Sequence, residues 1–115
     1  MELYELTINE AHELLKSKKI SSRELTRAVL DRIEVVDGKI DAYISLSEEL
    51  AMQQAGLADE AISKGKCLPL TGIPLGIKDL FCTEGVRSQA ASDILGGFEP
   101  RYESTVTSQL WASGA

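Results

Sequence analysis

Between Leu68 and Phe81 the chain reads Leu-Pro-Leu-Thr-Gly-Ile-Pro-Leu-Gly-Ile-Lys-Asp-Leu-Phe, and this run limits the possible folds more than any other. Pro69 and Pro74 lack the amide hydrogen that a helix ladder needs, and Gly72 and Gly76 carry backbone freedom that a helix must remove. Most of the other positions are aliphatic. A run that is barred from helix yet apolar predicts a buried extended segment. A buried strand over Leu75 to Lys78 needs hydrogen-bonding neighbours on both edges, so the expected fold class is α/β, with helices packed ahead of a strand that belongs inside a sheet.

Ahead of that run the punctuation is helical. Thr7-Ile8-Asn9-Glu10 has the T-x-x-E form of a capping box, and Ile8, Ala11, Leu14 and Leu15 follow at helical spacing. Lys16, Lys18 and Lys19 suit the negative end of that helix. A second box, Ser21-Ser22-Arg23-Glu24, opens a stripe of Leu25, Ala28, Val29, Arg32, Ile33 and Val36, with Asp37-Gly38 as the expected stop. Asp41 to Leu46 reads as a short extended link. Ser47-Glu48-Glu49 starts a third helix whose small inner face is Ala51, Ala55, Ala58 and Ile62, and Gly65 closes it. Thr83 to Pro100 reads as a loop-rich crossing with a short helical turn near Ala90 to Leu95, and Glu103 to Ala112 as a last helix. The expected organisation is therefore one unit over 1–115, with a helical layer at 1–66 and the Lys78 strand, crossing and last helix at 67–115.

A chain of 115 residues with 43% hydrophobic and 26% charged content suits a single globular domain. Its net charge of −6 argues against a basic face that would grip DNA or RNA phosphates. No apolar run approaches membrane-span length. The acidic opening Met1-Glu2-Leu3-Tyr4-Glu5 does not resemble a signal peptide, so a cytoplasmic location is expected (or an organellar matrix in a eukaryote). In that setting Cys67 and Cys82 are expected as reduced thiols. His12 is the only histidine, spaced with the apolar face of the first helix and expected at its boundary. No metal site is expected.

Alternation along Ile73 to Asp79 places Ile73, Leu75 and Ile77 on one face, Gly76 and Lys78 on the other, and turns Asp79 away from Lys78. Two roles for Lys78 stay open on spacing alone. Enclosed by apolar groups, a lysine loses its preference for the charged form and serves as a general base for a hydroxyl. At a strand end it can instead reach water or pair with a carboxylate. The glycines do not make a phosphate loop, because Ile77 separates Gly76 from Lys78 and Asp79 stands where a hydroxyl residue is required. Gly96-Gly97 reads as a turn, Cys82 as a small buried hydrophobe, Ser88 and Ser92 as turn or cap hydroxyls, and Trp111 with Val106 and Leu110 as a packing stripe.

The string Gly72-Ile73-Pro74-Leu75-Gly76-Ile77-Lys78-Asp79, followed by Gly85-Val86, Ala91-Ser92-Asp93-Ile94-Leu95, Tyr102 and Gly114-Ala115, resembles the N-terminal part of the amidase signature family. The flanks, Ser21 to Thr26 and Asp41-Ala42-Tyr43-Ile44 among them, are similar to the branch formed by the A subunits of glutamyl-tRNA(Gln) and aspartyl-tRNA(Asn) amidotransferases. The likeness runs over the whole chain. It departs from that branch at Ser88-Gln89, Asp93, Glu103 and Ser104, and nowhere at Lys78.

The resemblance implies an α/β/α sandwich of which this chain holds the N-terminal helices and first core strand. It implies amide hydrolysis by a Ser–cis-Ser–Lys triad in which Lys78 is the base, with both serines beyond this chain. Gly72 and Gly76 would shape the backbone around it, and Asp79 would be a structural neighbour. The complete subunit would release ammonia from glutamine, and B and C subunits would complete a complex that uses ATP and magnesium to amidate Glu-tRNA(Gln). No cofactor is implied for this chain itself. The alternatives are a general amidase of the same family and a non-catalytic, truncated interaction module.

Overall fold

The computed structural model describes residues 1–115. A short 3-10 turn, Leu3–Glu5, precedes α1 (Ile8–Lys16), α2 (Ser22–Ile40) and α3 (Glu48–Ser63), and a long connection with a 3-10 turn at Asp93–Leu95 leads to α4 (Thr105–Ala112). The molecule measures 45 × 32 × 20 Å, so its thin dimension holds no more than two helix diameters.

Both capping boxes close. The Glu10 amide donates to Thr7 Oγ1 at 3.3 Å while the Glu10 carboxylate accepts from the Thr7 amide at 2.8 Å. Ser21 and Glu24 repeat the exchange at 3.1 and 2.7 Å. These hydrogen bonds favour the ionised carboxylates and hold Glu10 and Glu24 below the usual carboxylate range. The helix ends are closed as deliberately. After α1, α3 and α4 the backbone turns left-handed at Lys18, Gly65 and Gly114. The next amide then reaches back five residues, from Lys19 to Leu14, Lys66 to Ala61 and Ala115 to Leu110.

Helix α2 does not stop at Asp37-Gly38. It continues to Ile40, and Asp41 takes the left-handed turn at φ 54°. The physical reason lies in Asp37, whose Oδ1 accepts the Ala42 amide at 2.8 Å and so caps the helix one turn later than a glycine stop would. Gly38 is consequently an interior helix residue with open space where a Cβ would stand. Gly38→Ala is expected to stabilise the protein by about 0.5 kcal/mol, read as a higher denaturant midpoint at unchanged slope. Gly56 in α3 is different, because an added Cβ would lie 2.6 Å from the Arg23 guanidinium that crosses it.

The core is small. Ala11, Leu15, Leu25, Ile62 and Ile73 form it, with Leu3, Leu6, Ile20 and Cys67 packed around them. Helix α2 packs on α3 and on the opening 3-10 turn. Arg27 and Glu48 form an exposed ion pair at 2.7 Å, which raises the Arg27 pKa further and contributes little to stability. His12 is half-buried, with Nδ1 4.0 Å from Cys67 Sγ, and both cysteines are free thiols.

The expected strand is the main departure. Residues 73–78 form neither helix nor turn, and no β-ladder forms; the one bridge joins Thr83 and Val86 in a tight turn. Of the expected inner face only Ile73 is buried, at 5% exposure, while Ile77 is half-buried and Leu75 exposed. A strand is stabilised by amides and carbonyls on neighbouring strands, and these 115 residues offer none to either edge of the run. Asp41 to Leu46 likewise runs exposed and unpaired. The connection from Thr83 to Pro100 has the loop character expected, with its helical turn at Asp93–Leu95.

Candidate active site

Gly72 is where the helical layer meets the extended run. Its φ of +80° belongs to the left-handed region, and a Cβ there would stand 3.0 Å from Ser22 Cβ and 3.4 Å from Leu15 Cδ1. The buried Ser22 hydroxyl donates to the Gly72 carbonyl at 2.8 Å, and the Gly72 amide donates to the Gly114 carbonyl at 2.9 Å. Ser22 is held in turn by α3. Its amide donates to Asp59 Oδ1 at 2.6 Å, and the Arg23 amide to Asp59 Oδ2 at 3.2 Å, so a carboxylate from one helix caps the N-terminus of another. A continuous series of hydrogen bonds thus runs from α3 through the start of α2 and Gly72 to the end of α4.

Beyond Gly72, Ile73 is anchored in the core and the run leaves the helices along the wall of a cavity of about 1010 Å³. Its lining is mainly apolar, from α2, the 42–47 link, α3 and residues 72–81, and its charged members are Lys78, Asp79 and Arg87. Gly76 leaves room for Tyr43, whose hydroxyl lies 3.2 Å from where a Gly76 Cβ would be. Lys78 faces this cavity but is exposed, so the apolar enclosure expected around its amine is not supplied by these 115 residues. The chain's one ion pair is Arg27 with Glu48, and Lys78 is therefore not the paired lysine that spacing left open.

Asp79 takes three amides of one loop. Its Oδ1 accepts from Gln89 at 3.1 Å, its Oδ2 from Ala91 at 2.9 Å and its carbonyl from Ala90 at 2.8 Å. Ala90 and Ala91 both line the cavity, and both have left-handed backbone, with φ of 50° and 55°.

The remaining candidates have structural partners. Ser88 is buried and its hydroxyl donates to the Val86 carbonyl at 3.1 Å, while Ser92 Oγ accepts the Ile94 amide at 3.3 Å. Cys82 lies outside the cavity lining. Its thiol donates to the Tyr102 hydroxyl at 3.4 Å, an interaction that raises the Tyr102 pKa, and its carbonyl receives the Ser104 amide and the Thr107 hydroxyl. Glu103 Oε1 accepts from Trp111 Nε1 at 3.3 Å, which fastens the packing stripe of α4. No three His, Cys, Asp or Glu side chains gather as a metal-ligand group, and no helix is long and apolar enough to cross a membrane.

Sequence reasoning did not find the Asp59 cap, the Gly72–Gly114 bond or the Asp79 clamp. For Asp59 the only signal was an acid near the small-residue face of α3. For the clamp it was an aspartate before a loop with two small residues at 90 and 91.

Comparison with known proteins places these features. The chain is 53% identical over all 115 residues to the protein named as the A subunit of glutamyl-tRNA(Gln) amidotransferase in Desulfatibacillum aliphaticivorans, and 50% identical over the same length to its namesake from Geobacter sp. (strain M21). In Rhizobium johnstonii the namesake is 54% identical over 114 residues. The chain spans 24% of the length of the first two of these relatives and 23% of the third. A solved chain from a vestigial protein complex, described as revealing the evolutionary origins of an s-triazine catabolic enzyme, superposes with a TM-score of 0.90. That match has 31% identity and covers 96% of this chain and 24% of the other. The fold is thus that of the first part of an amidase-type α/β protein, with its helices in place and its sheet unformed within this stretch. The amidase family model matches residues 24–115, a stretch that contains Gly72, Gly76, Lys78 and Asp79 together with the loop that Asp79 holds, and the chain belongs to the amidase family.

Proposed function

We infer that these residues are the N-terminal part of the A subunit of a tRNA-dependent amidotransferase, which hydrolyses glutamine to supply ammonia for converting Glu-tRNA(Gln) to Gln-tRNA(Gln). The observation that carries this reading is identity of 50–54% to proteins of that name along essentially the whole chain. In this reading Lys78 is the general base. Its amine takes the proton of a bridging serine, which in turn activates the nucleophilic serine, and both serines come from the rest of the subunit. Closing the cavity over Lys78 with the remainder of the domain supplies the apolar enclosure that makes a neutral amine accessible at working pH. B and C subunits are the partners, ATP and magnesium act in the complex rather than on this chain, and the location is cytoplasmic.

The test is made on the full-length protein in complex with its partners. Glutamine should release ammonia, and Glu-tRNA(Gln) with ATP and magnesium should be converted to Gln-tRNA(Gln). Ammonia from simple amides but none from glutamine would replace this reading by a general amidase. No hydrolysis of any amide would leave a non-catalytic interaction module.

A further inference from the structure

The geometry points to Asp79 as a positioning residue for Lys78, acting by holding the Gln89–Ala91 loop against the end of the extended run. This inference rests on the reading of Lys78 as the base. Three consecutive amides, from Gln89, Ala90 and Ala91, converge on Asp79, two on its carboxylate and one on its carbonyl. Two of these amides meet the negative charge of the carboxylate, so the loop is held by charge-assisted hydrogen bonds to a side chain of the same molecule. Ala90 and Ala91 adopt φ of 50° and 55°, a conformation that L-residues avoid unless their surroundings impose it. The carboxylate is what imposes it.

The run that carries Lys78 needs such an anchor. Within these 115 residues no ladder fixes the register of residues 73–78, and after Ile73 no side chain of the run is buried. Asp79 supplies a fixed point directly after Lys78, tied to a loop that itself lines the cavity into which Lys78 faces. Its carboxylate is also committed. With both oxygens occupied by amides it does not compete as an ion-pair partner for the neighbouring amine. One side chain therefore sets the Lys78 backbone and shapes the wall beside it.

The experiment compares the full-length subunit, in its complex, with Asp79→Asn, with Ala90→Gly/Ala91→Gly, and with all three changes combined. Asparagine keeps the size of Asp79 but offers one acceptor oxygen to two amides. Asp79→Asn is expected to lower kcat for glutamine hydrolysis about 10- to 100-fold with KM changed less than about threefold, because a base displaced by an ångström loses that much. The ascending limb of the pH–rate profile should move with it, a change that loss of stability alone does not produce. Glycines at 90 and 91 accept left-handed backbone without the carboxylate, so the combined variant should recover at least half of the lost activity on a logarithmic scale. Hydrogen exchange at the Gln89 and Ala91 amides should quicken about tenfold or more in Asp79→Asn. Unchanged kcat and pH limb in Asp79→Asn overturn the inference, and so does a loss of activity that the two glycines leave wholly in place. The exchange rates report the clamp whichever group is the base. Full activity in a Lys78→Ala control would overturn the base assignment by itself, with the exchange result still deciding whether Asp79 holds the loop.

Discussion

Replacing Lys78 with alanine in the full-length subunit is expected to cut glutamine hydrolysis by about 10²–10⁴-fold, the range that a positioned general base contributes. Lys78→Arg should be as damaging, because a guanidinium keeps its proton and cannot accept one from a hydroxyl. Neither change should unfold the protein, since Lys78 has no ion-pair partner in this segment to lose. The two activities of the complex then separate. Ammonia release from glutamine disappears, whereas added ammonium salt restores formation of Gln-tRNA(Gln), which bypasses the hydrolytic step. Glutamine hydrolysis at the parent rate in Lys78→Ala would remove Lys78 as the base. Loss that ammonium does not rescue would point to a damaged assembly.

Gly72→Ala should cost the protein a large share of its stability. Left-handed backbone costs an alanine about 1–2 kcal/mol, and forcing a Cβ to within 3.0 Å of Ser22 Cβ adds about 1–3 kcal/mol of crowding. A total of about 2–5 kcal/mol is expected in denaturant unfolding of the full-length protein. Gly85→Ala is the control, because Gly85 also has positive φ, +73°, but open space around it. It should lose only the conformational part, about 1–2 kcal/mol. Equal effects at the two sites would mean that Ser22 and Leu15 yield freely to the new methyl, and that the junction of helices and extended run is looser than its hydrogen bonds indicate.

What could be read in advance was what lies within a few residues of itself. The T-x-x-E and S-x-x-E boxes predict two helix starts because their chemistry is complete within four positions, and both form as read. Gly65 and Gly114 announce helix ends for the same reason. The α2 stop was misplaced because Asp37 caps through its side chain, a local alternative that a glycine stop obscured. The strand failed for the opposite reason. Proline and glycine exclude a helix, and residues 73–78 form none, but strand pairing depends on partners that the segment does not contain. In the site, the string around Lys78 marked the residue without its environment. Asp79 could be placed on the opposite face by alternation, yet its hold on Gln89 and Ala91 spans 10 and 12 positions through an irregular loop. The Asp59 cap on Ser22 crosses 37 positions, and no spacing rule reaches that far.

The bond between the Gly72 amide and the Gly114 carbonyl has a topological consequence. It ties together two points 42 positions apart, so everything from the run that carries Lys78 to the last helix is one loop closed at its neck. Closure entropy grows only with the logarithm of loop length. About ten extra residues at the exposed tip between Asp93 and Gly97 would therefore add only about 0.2 kcal/mol to the cost of closing it. Added length at that tip is thermodynamically cheap, while a side chain at either glycine of the neck meets Ser22 or Thr71 at contact distance.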